Sequence, residues 1–172
     1  MSAGPHAALR LSRLSMVAAV ALFFTLVAWG NIVDYGANFA FVQHVLTMDT
    51  TFKSPALMGR AIETPALHHA AYWLIIGWQV LTAALCWSGA WRLWRARGAG
   101  VAAYDAAKGL AILGLTAGFL LYTAGFAAVG GEWFAMWQSS TWNGQRSAHI
   151  FFTFIGIVLL FLALPERETK CL

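Results

Sequence analysis

Four long apolar segments, none of which contains a charged residue, alternate with shorter polar stretches along the chain. They cover residues 14–33, 65–91, 109–131 and 147–164. A run of about 20 mostly apolar residues is long enough to cross a bilayer as a helix. Because backbone groups in hydrocarbon must be hydrogen-bonded within their own segment, each run is predicted to be a transmembrane helix. The pattern therefore predicts an all-α fold, a four-helix transmembrane bundle forming one domain over residues 1–172.

The composition agrees with this pattern and excludes several classes of function. Of the 172 residues, 60% are hydrophobic and 10% are charged, whereas soluble domains carry about 25% charged residues. The expected surroundings are therefore a lipid bilayer. The sequence contains no block of basic residues interleaved with aromatic residues, so it gives no sign of a nucleic-acid partner. The sequence also shows no phosphate loop, no serine–histidine–aspartate set and no carboxylate pair of the kind that catalysis uses. This favours a protein that is not an enzyme.

The distribution of lysine and arginine predicts the orientation, because basic residues are enriched on the cytoplasmic side. If the N-terminus lies inside, eight basic residues lie inside and three outside. The inner residues are Arg10, Arg13, Arg92, Arg95, Arg97, Lys108, Arg167 and Lys170, and the outer ones are Lys53, Arg60 and Arg146. This predicts that both termini lie in the cytoplasm. The alternative is a signal peptide cleaved after the first apolar run, which would leave three spans.

The two outer loops carry signals of local structure. Ser-Pro at 54–55 and Thr-Pro at 64–65 each resemble a helix N-cap followed by proline at the first helical position. They predict a short helix near residues 55–62 and a second span that begins at residue 65. Apolar residues at helical spacing over residues 35–46 predict a continuation of the first helix or an interfacial helix. With the tryptophan-rich second loop, these segments predict a structured outer, periplasmic cap.

Three segments resemble a known family of bacterial proteins. DYGANFAFVQHVLTMDTTF, ALMGRAIETP and WQSSTWNGQ are similar to the small integral membrane proteins grouped as domain of unknown function 2165. The likeness extends from about Trp29 through the fourth span. It implies a four-span protein of the inner membrane, and it carries over no activity and no catalytic residue.

A polar stretch follows the first apolar run directly. Asn31, Asp34 and Asn38 are spaced by three and four residues, which places them on one face of a helix. They indicate either a polar pocket at the outer end of the bundle or a helix that has emerged into water. With His44 and Glu63 they form a candidate ligand-binding site. The region of Asp34, Asn38 and His69 is the candidate site for a lipid or quinone headgroup.

Four of the five histidines, His44, His68, His69 and His149, are predicted on the outer side. His69 and His149 lie at similar depths and could hold a b-type haem between facing helices. His68 and His69 point about 100 degrees apart on a helix, so at most one of them would serve one centre. Alternatively, a histidine and a carboxylate of the outer loop could bind zinc or copper. The remaining alternative is that these histidines only form hydrogen bonds at the interface.

Two further patterns concern packing and redox state. Gly114 and Gly118 form a small-residue face that favours close helix contact, either within the bundle or with a partner. Cys86 lies in an apolar run and Cys171 near the C-terminus, so no disulfide is predicted.

Three functions follow from these patterns, and no cofactor can be assigned from the sequence. The leading hypothesis is a non-catalytic accessory or anchoring subunit that presents its periplasmic cap to other subunits of a membrane complex. The second is a redox subunit that binds haem b or a metal at the outer end. The third is a binder of a lipid or quinone headgroup.

Overall fold

The computed structural model describes residues 5–166. The predicted basic residues Arg167 and Lys170, and Cys171, lie outside the described residues. Seven α-helices, one π-helix and one short 3-10 helix follow one another. They are α1 (Pro5–Val33), α2 (Tyr35–Thr47), α3 (Pro55–Met58), α4 (Pro65–Ala96), α5 (Val101–Ala107), α6 (Gly109–Leu120), the π segment (Leu121–Trp133), a 3-10 helix (Met136–Gln138) and α7 (Gln145–Ala163).

The predicted all-α bundle of four membrane spans is confirmed. Four apolar helical stretches are long enough to cross a bilayer: His6–Val33, Pro65–Ala96, Val101–Trp133 and Gln145–Ala163. The third stretch consists of α5, α6 and the π segment in succession. The helix α4 extends beyond its charge-free segment because the long side chains of Arg92 and Arg95 can carry their charged ends to the interface. The helix α1 also extends beyond its charge-free segment, and there Arg10 and Arg13 are buried and paired within the protein.

The four spans are arranged as a square. The helix α1 packs against α4 and α7, and α6 packs against the same two helices. Consequently α4 and α7 lie diagonally opposite each other. The apolar core fills the space between them, and Val17, Phe24, Cys86, Leu115 and Ile155 are fully buried in it.

Small residues bring α4 and α6 into close contact. A methyl group added at Gly89 would overlap the backbone of Ala111. At Gly114 it would lie 2.7 Å from the sulfur of Cys86, and at Gly118 it would lie 2.7 Å from the ring of Phe24. Without a hydrophobic driving force between helices in lipid, such close approach is a main source of attraction. Both Gly114 and Gly118 therefore contribute to packing within the bundle.

At one end, here called the capped end, residues 48–64 and 134–144 cover the bundle. The Thr50 hydroxyl donates to the Ser139 hydroxyl at 2.8 Å, and the Phe52 amide donates to Gln138 at 2.9 Å. The helix α2 follows α1 after a break at Asp34 and packs against α4. That this end faces the periplasm stays a prediction.

Two details of the loops differ from expectation. The loop helix α3 ends at Met58 rather than near residue 62, because the Ile62 amide donates to Leu46 of α2 at 2.9 Å instead of continuing the helix. The helix α4 begins at Pro65, but the Thr64 side chain makes no capping hydrogen bond. Proline at the first position therefore marks the helix start without help from the side chain before it.

Buried charges close the opposite end, here called the clamp end. Arg10 of α1 donates from Nε to both carboxylate oxygens of Glu166, at 2.9 and 3.0 Å. It also donates to the Arg97 carbonyl at 3.0 Å in the α4–α5 loop. Arg13 and Lys108 donate to the Leu164 carbonyl at 3.0 and 2.8 Å. This clamp ties the first and last spans to the connection between α4 and α6.

The hydrogen bonds of the clamp hold Glu166 in its ionised form. Hydrogen bonds from Arg10 lower the pKa of Glu166 below its ordinary value of 4.5, although burial acts in the opposite direction. Since the pKa is lower in the folded state, this carboxylate stabilises the fold fully above its ordinary pKa. The stabilisation is lost as the pH falls through the folded-state pKa.

Gly89→Val should destabilise the bundle because its side chain would force α4 away from the backbone of Ala111. The expected loss is about 1–3 kcal/mol, the usual cost of overpacking. Thermal unfolding in detergent, followed by circular dichroism, measures the loss. Gly77→Val is the matched control in the same helix, since no atom lies within 4 Å of the added methyl position. Equal unfolding temperatures for the two variants would contradict the close contact.

Glu166→Gln should destabilise the protein by about 3 kcal/mol at neutral pH, because it leaves two buried arginines without their counter-charge. The difference from the wild type should shrink as the pH is lowered through the folded-state pKa of Glu166. Unfolding measured as a function of pH tests both expectations. Glu63→Gln is the control, because Glu63 is exposed. A constant difference at every pH would show that the clamp is not electrostatic.

Candidate functional site

Three amide side chains form a hydrogen-bonded series near the capped end. Asn38 of α2 donates from Nδ2 to Oδ1 of Asn31 at 2.8 Å. Asn31 of α1 donates from Nδ2 to Oε1 of Gln79 in α4 at 2.9 Å. The Tyr72 hydroxyl donates to the Asn31 carbonyl at 3.4 Å. The series, here called the amide relay, links three helices. Asn31 and Gln79 are buried, whereas Asn38 is exposed.

A cavity of about 440 Å³ adjoins the amide relay. Its walls combine the relay with aromatic side chains of the third and fourth spans and with the loop before α7. The polar and aromatic lining residues include Asn31, Asn38, Tyr72, Gln79, Tyr122, Phe126, Trp142 and Phe151. None of its lining residues is Asp, Glu, Lys, Arg or His. This polar cavity is therefore uncharged.

A second cavity of about 310 Å³ is lined almost wholly by apolar atoms. It shares Phe41, Val42, Ile75 and Phe126 with the polar cavity, so the two lie side by side. Its lining also includes Leu74 of α4 and Val129 of the π segment, which are 67% and 50% exposed. The apolar cavity thus reaches the lipid-facing surface between these two elements.

Two hydrogen-bond donors beside the polar cavity have no partner among the described residues. The relay uses Oε1 of Gln79 and leaves its Nε2 group unpaired, although the residue is only 3% exposed. The hydroxyl of Tyr122, also 3% exposed, makes no hydrogen bond within residues 5–166. Both atoms keep accessible surface beside the cavity, so each can donate a hydrogen bond to an acceptor atom of a bound molecule.

The structure brings together part of the predicted headgroup site. Asn31 and Asn38 are hydrogen-bonded to each other and line the polar cavity. Asp34 occupies the break between α1 and α2 and is exposed, so its carboxylate does not line the cavity. Glu63 is exposed in the loop before α4.

His44 lies behind the cavity wall. Its ring stacks on Trp142 with centroids 4.5 Å apart, and its Nδ1 lies 2.6 Å from a carboxylate oxygen of Asp49. Trp142 itself lines the polar cavity. His44 therefore supports a wall residue and does not face the cavity directly.

The other three predicted histidines lie in separate surroundings. His68 is buried, and its Nε2 lies 2.7 Å from the Ile62 carbonyl. His69 is exposed, stacks on Phe39 at 4.2 Å and pairs with the Tyr35 hydroxyl at 2.8 Å. His149 is exposed on α7 and contacts the edge of Phe152.

This placement does not bring His69 and His149 to a common centre, because α4 and α7 are diagonal and both rings are exposed. Within residues 5–166 no group of three histidine, cysteine, aspartate or glutamate side chains is spaced to hold a metal ion. Among the described residues His44, His68 and His69 each have a hydrogen-bond partner.

The sequence patterns did not identify Tyr72, Gln79 or Tyr122 as site residues. Gln79 lies 13 positions before Arg92, which is about 20 Å along a helix. The hydrocarbon layer is about 30 Å thick. An amide at such depth is the one sequence signal that could have identified the cavity.

The comparisons with known proteins agree with the fold. A family model described as predicted small integral membrane protein, domain of unknown function 2165, matches residues 9–165. The chain belongs to this family. The match spans all four membrane helices and both loops of the capped end, which confirms the predicted family and the integral membrane character. No curated protein and no solved structure matches the chain.

Proposed function

We propose that this family member binds an uncharged amphipathic molecule within the membrane, with its polar end at Gln79 and Tyr122 and its apolar body in the adjoining cavity. One observation supports the proposal: a polar cavity with two unpaired donors lies beside an apolar cavity that reaches the lipid-facing surface. A ligand that is itself dissolved in the bilayer would enter between Leu74 and Val129 without passing through water.

The chemistry of the lining residues restricts the ligand. Because the cavity walls carry no formal charge, a charged headgroup would lose its hydration without gaining a counter-charge, which is costly. The free groups of Gln79 and Tyr122 are donors, so the ligand should offer an accepting oxygen. The carbonyl of a quinone and the ester carbonyl of a neutral glycerolipid both meet this requirement.

Gln79→Leu should weaken ligand binding about tenfold, which corresponds to the loss of one buried hydrogen bond of about 1.4 kcal/mol. The purified full chain is titrated calorimetrically in detergent with decylbenzoquinone and, separately, with dioctanoylglycerol. The probe that binds the wild type more tightly indicates whether the ligand is a quinone or a neutral glycerolipid. Gln43→Leu is the matched control, because Gln43 is exposed on α2 and lines neither cavity.

A second variant tests the apolar half of the site. A side chain added at Gly125 would point into open space, with its first carbon 3.7 Å from Leu121. Gly125→Leu should therefore fold normally but occupy the apolar cavity, and it should weaken probes with long tails more than probes with short tails. No binding of either probe to the wild type, or unchanged binding in Gln79→Leu, would contradict the proposed function.

The accessory role predicted from the sequence has a separate observation in its favour. Phe52 and Trp137 stack edge to face at 5.9 Å on the loops of the capped end, and they are 72% and 48% exposed. An exposed aromatic pair on loops beyond the helices suits contact with another subunit, since aromatic residues are enriched in protein interfaces.

A photoactivated cross-linking residue at position 52 should capture one discrete protein in native membranes if the chain is an accessory subunit. The same residue at Trp29, which is 65% exposed on the membrane-spanning part of α1, should capture lipid. The Trp137→Ser background should reduce the protein adduct at position 52. Lipid adducts alone at both positions would contradict the accessory role.

A further inference from the structure

A groove of about 530 Å³ runs along the outside of the bundle between α1 and α4, toward the clamp end. Small or short side chains of both helices, Ser15, Ala18 and Ala90, form its floor. The indole rings of Trp87, Trp91 and Trp94 form its α4 side, and Leu11 and Leu14 complete the α1 side. The groove is open to the surface along its length and lies on the opposite half of the molecule from the two cavities at the capped end.

At one end of the groove, two arginine side chains lie over the rings of Trp91 and Trp94. The Arg97 guanidinium lies 3.8 Å from the ring centre of Trp94 and donates to the Trp94 carbonyl at 2.8 Å. The Arg95 guanidinium lies 5.8 Å from the ring centre of Trp91. Cation–π contact of this kind holds a guanidinium over the ring while leaving its edge able to donate outward. Two positive groups are therefore held where the apolar groove ends.

The charge at this end is not balanced within the described chain. Arg92, Arg95 and Arg97 are all exposed. The described acids nearby are already engaged, because Glu166 pairs with Arg10 and Arg13, and Asp105 pairs with Lys108. An apolar groove that ends at exposed arginines is complementary to a molecule with a hydrocarbon chain and a negative headgroup. Arginine donates in a planar fork that matches phosphate oxygens well.

We infer that the groove between α1 and α4 binds one anionic phospholipid, with an acyl chain against Trp87 and Trp91 and its phosphate at Arg95 and Arg97. A soluble anion would contact the arginines but would not need the groove. A zwitterionic lipid would fill the groove but would gain less from two cations. The inference is independent of the ligand proposed for the capped end, because the groove shares no lining residue with either cavity.

Native mass spectrometry of the full chain tests the inference. The protein is released from micelles that contain equal amounts of phosphatidylglycerol and phosphatidylcholine, and the two lipid-bound populations are compared. The wild type should retain phosphatidylglycerol in preference. The double variant Arg95→Gln/Arg97→Gln should reduce this preference by about fivefold for each arginine removed, which corresponds to about 1 kcal/mol for each charge near a phosphate.

Two control variants separate the charge effect from the groove. Arg60→Gln removes an arginine that also lies over an indole, 4.6 Å from the ring centre of Trp133, but at the capped end, so the lipid preference should be unchanged. Ser15→Phe fills the groove floor while leaving the arginines, and it should lower retention of both lipids. Thermal unfolding of each variant shows that the fold is retained.

Three results would overturn the inference. The first is equal retention of both lipids by the wild type. The second is an unchanged preference in the double variant. The third is that inorganic phosphate displaces phosphatidylglycerol equally well from the wild type and from Ser15→Phe. Equal displacement would indicate an anion site that does not use the groove.

Discussion

The amide relay of Asn38, Asn31 and Gln79 governs the capped half of the molecule, because an amide in hydrocarbon must find its partner within the protein. Each of its hydrogen bonds joins two different helices, so the relay sets the register of α1 and α2 against α4. Leaving one such group unpaired costs about 1–3 kcal/mol. The Nε2 donor of Gln79, which the relay does not use, keeps accessible surface beside the polar cavity, and the cavity provides room for an acceptor.

The two ends of the bundle satisfy their polar groups in opposite ways. At the clamp end, Glu166 accepts from Arg10, and the carbonyl oxygen of Leu164 accepts from Arg13 and Lys108, so the interior there is closed by charge pairing. At the capped end the interior groups are neutral, and part of their hydrogen-bonding capacity faces a cavity. Charge pairing provides rigidity without space, whereas neutral amides and phenols beside a cavity provide specificity for a neutral ligand. This difference supports the proposal that the neutral ligand binds at the capped end.

The membrane spans could be predicted because hydrocarbon excludes charged side chains, and runs without charged residues are visible in the sequence itself. The start of α4 at Pro65 was equally readable, since proline at the first helical position needs no distant partner. Glu166 was not recognised as buried, because its partner Arg10 lies 156 positions away and nothing local distinguishes it from a solvated tail. Asp34 was expected on one face with Asn31 and Asn38, but it stands at the break between α1 and α2 and lines neither cavity. Long-range pairing and helix breaks are the features that sequence periodicity does not contain.

The π segment explains why a cavity persists in a bundle that is otherwise closely packed. π-helices are rare and are often retained at functional sites. Here Leu121–Trp133 supplies walls to both cavities through Leu121, Tyr122, Gly125, Phe126, Val129 and Gly130. At Gly125 and Gly130 an added methyl group would meet only ordinary contacts, at 3.7 and 3.6 Å. A larger residue would fit at these positions, and it would favour the helical conformation more than glycine does. Packing therefore does not require glycine at these two positions, and the space beside them suits the amphipathic ligand proposed above.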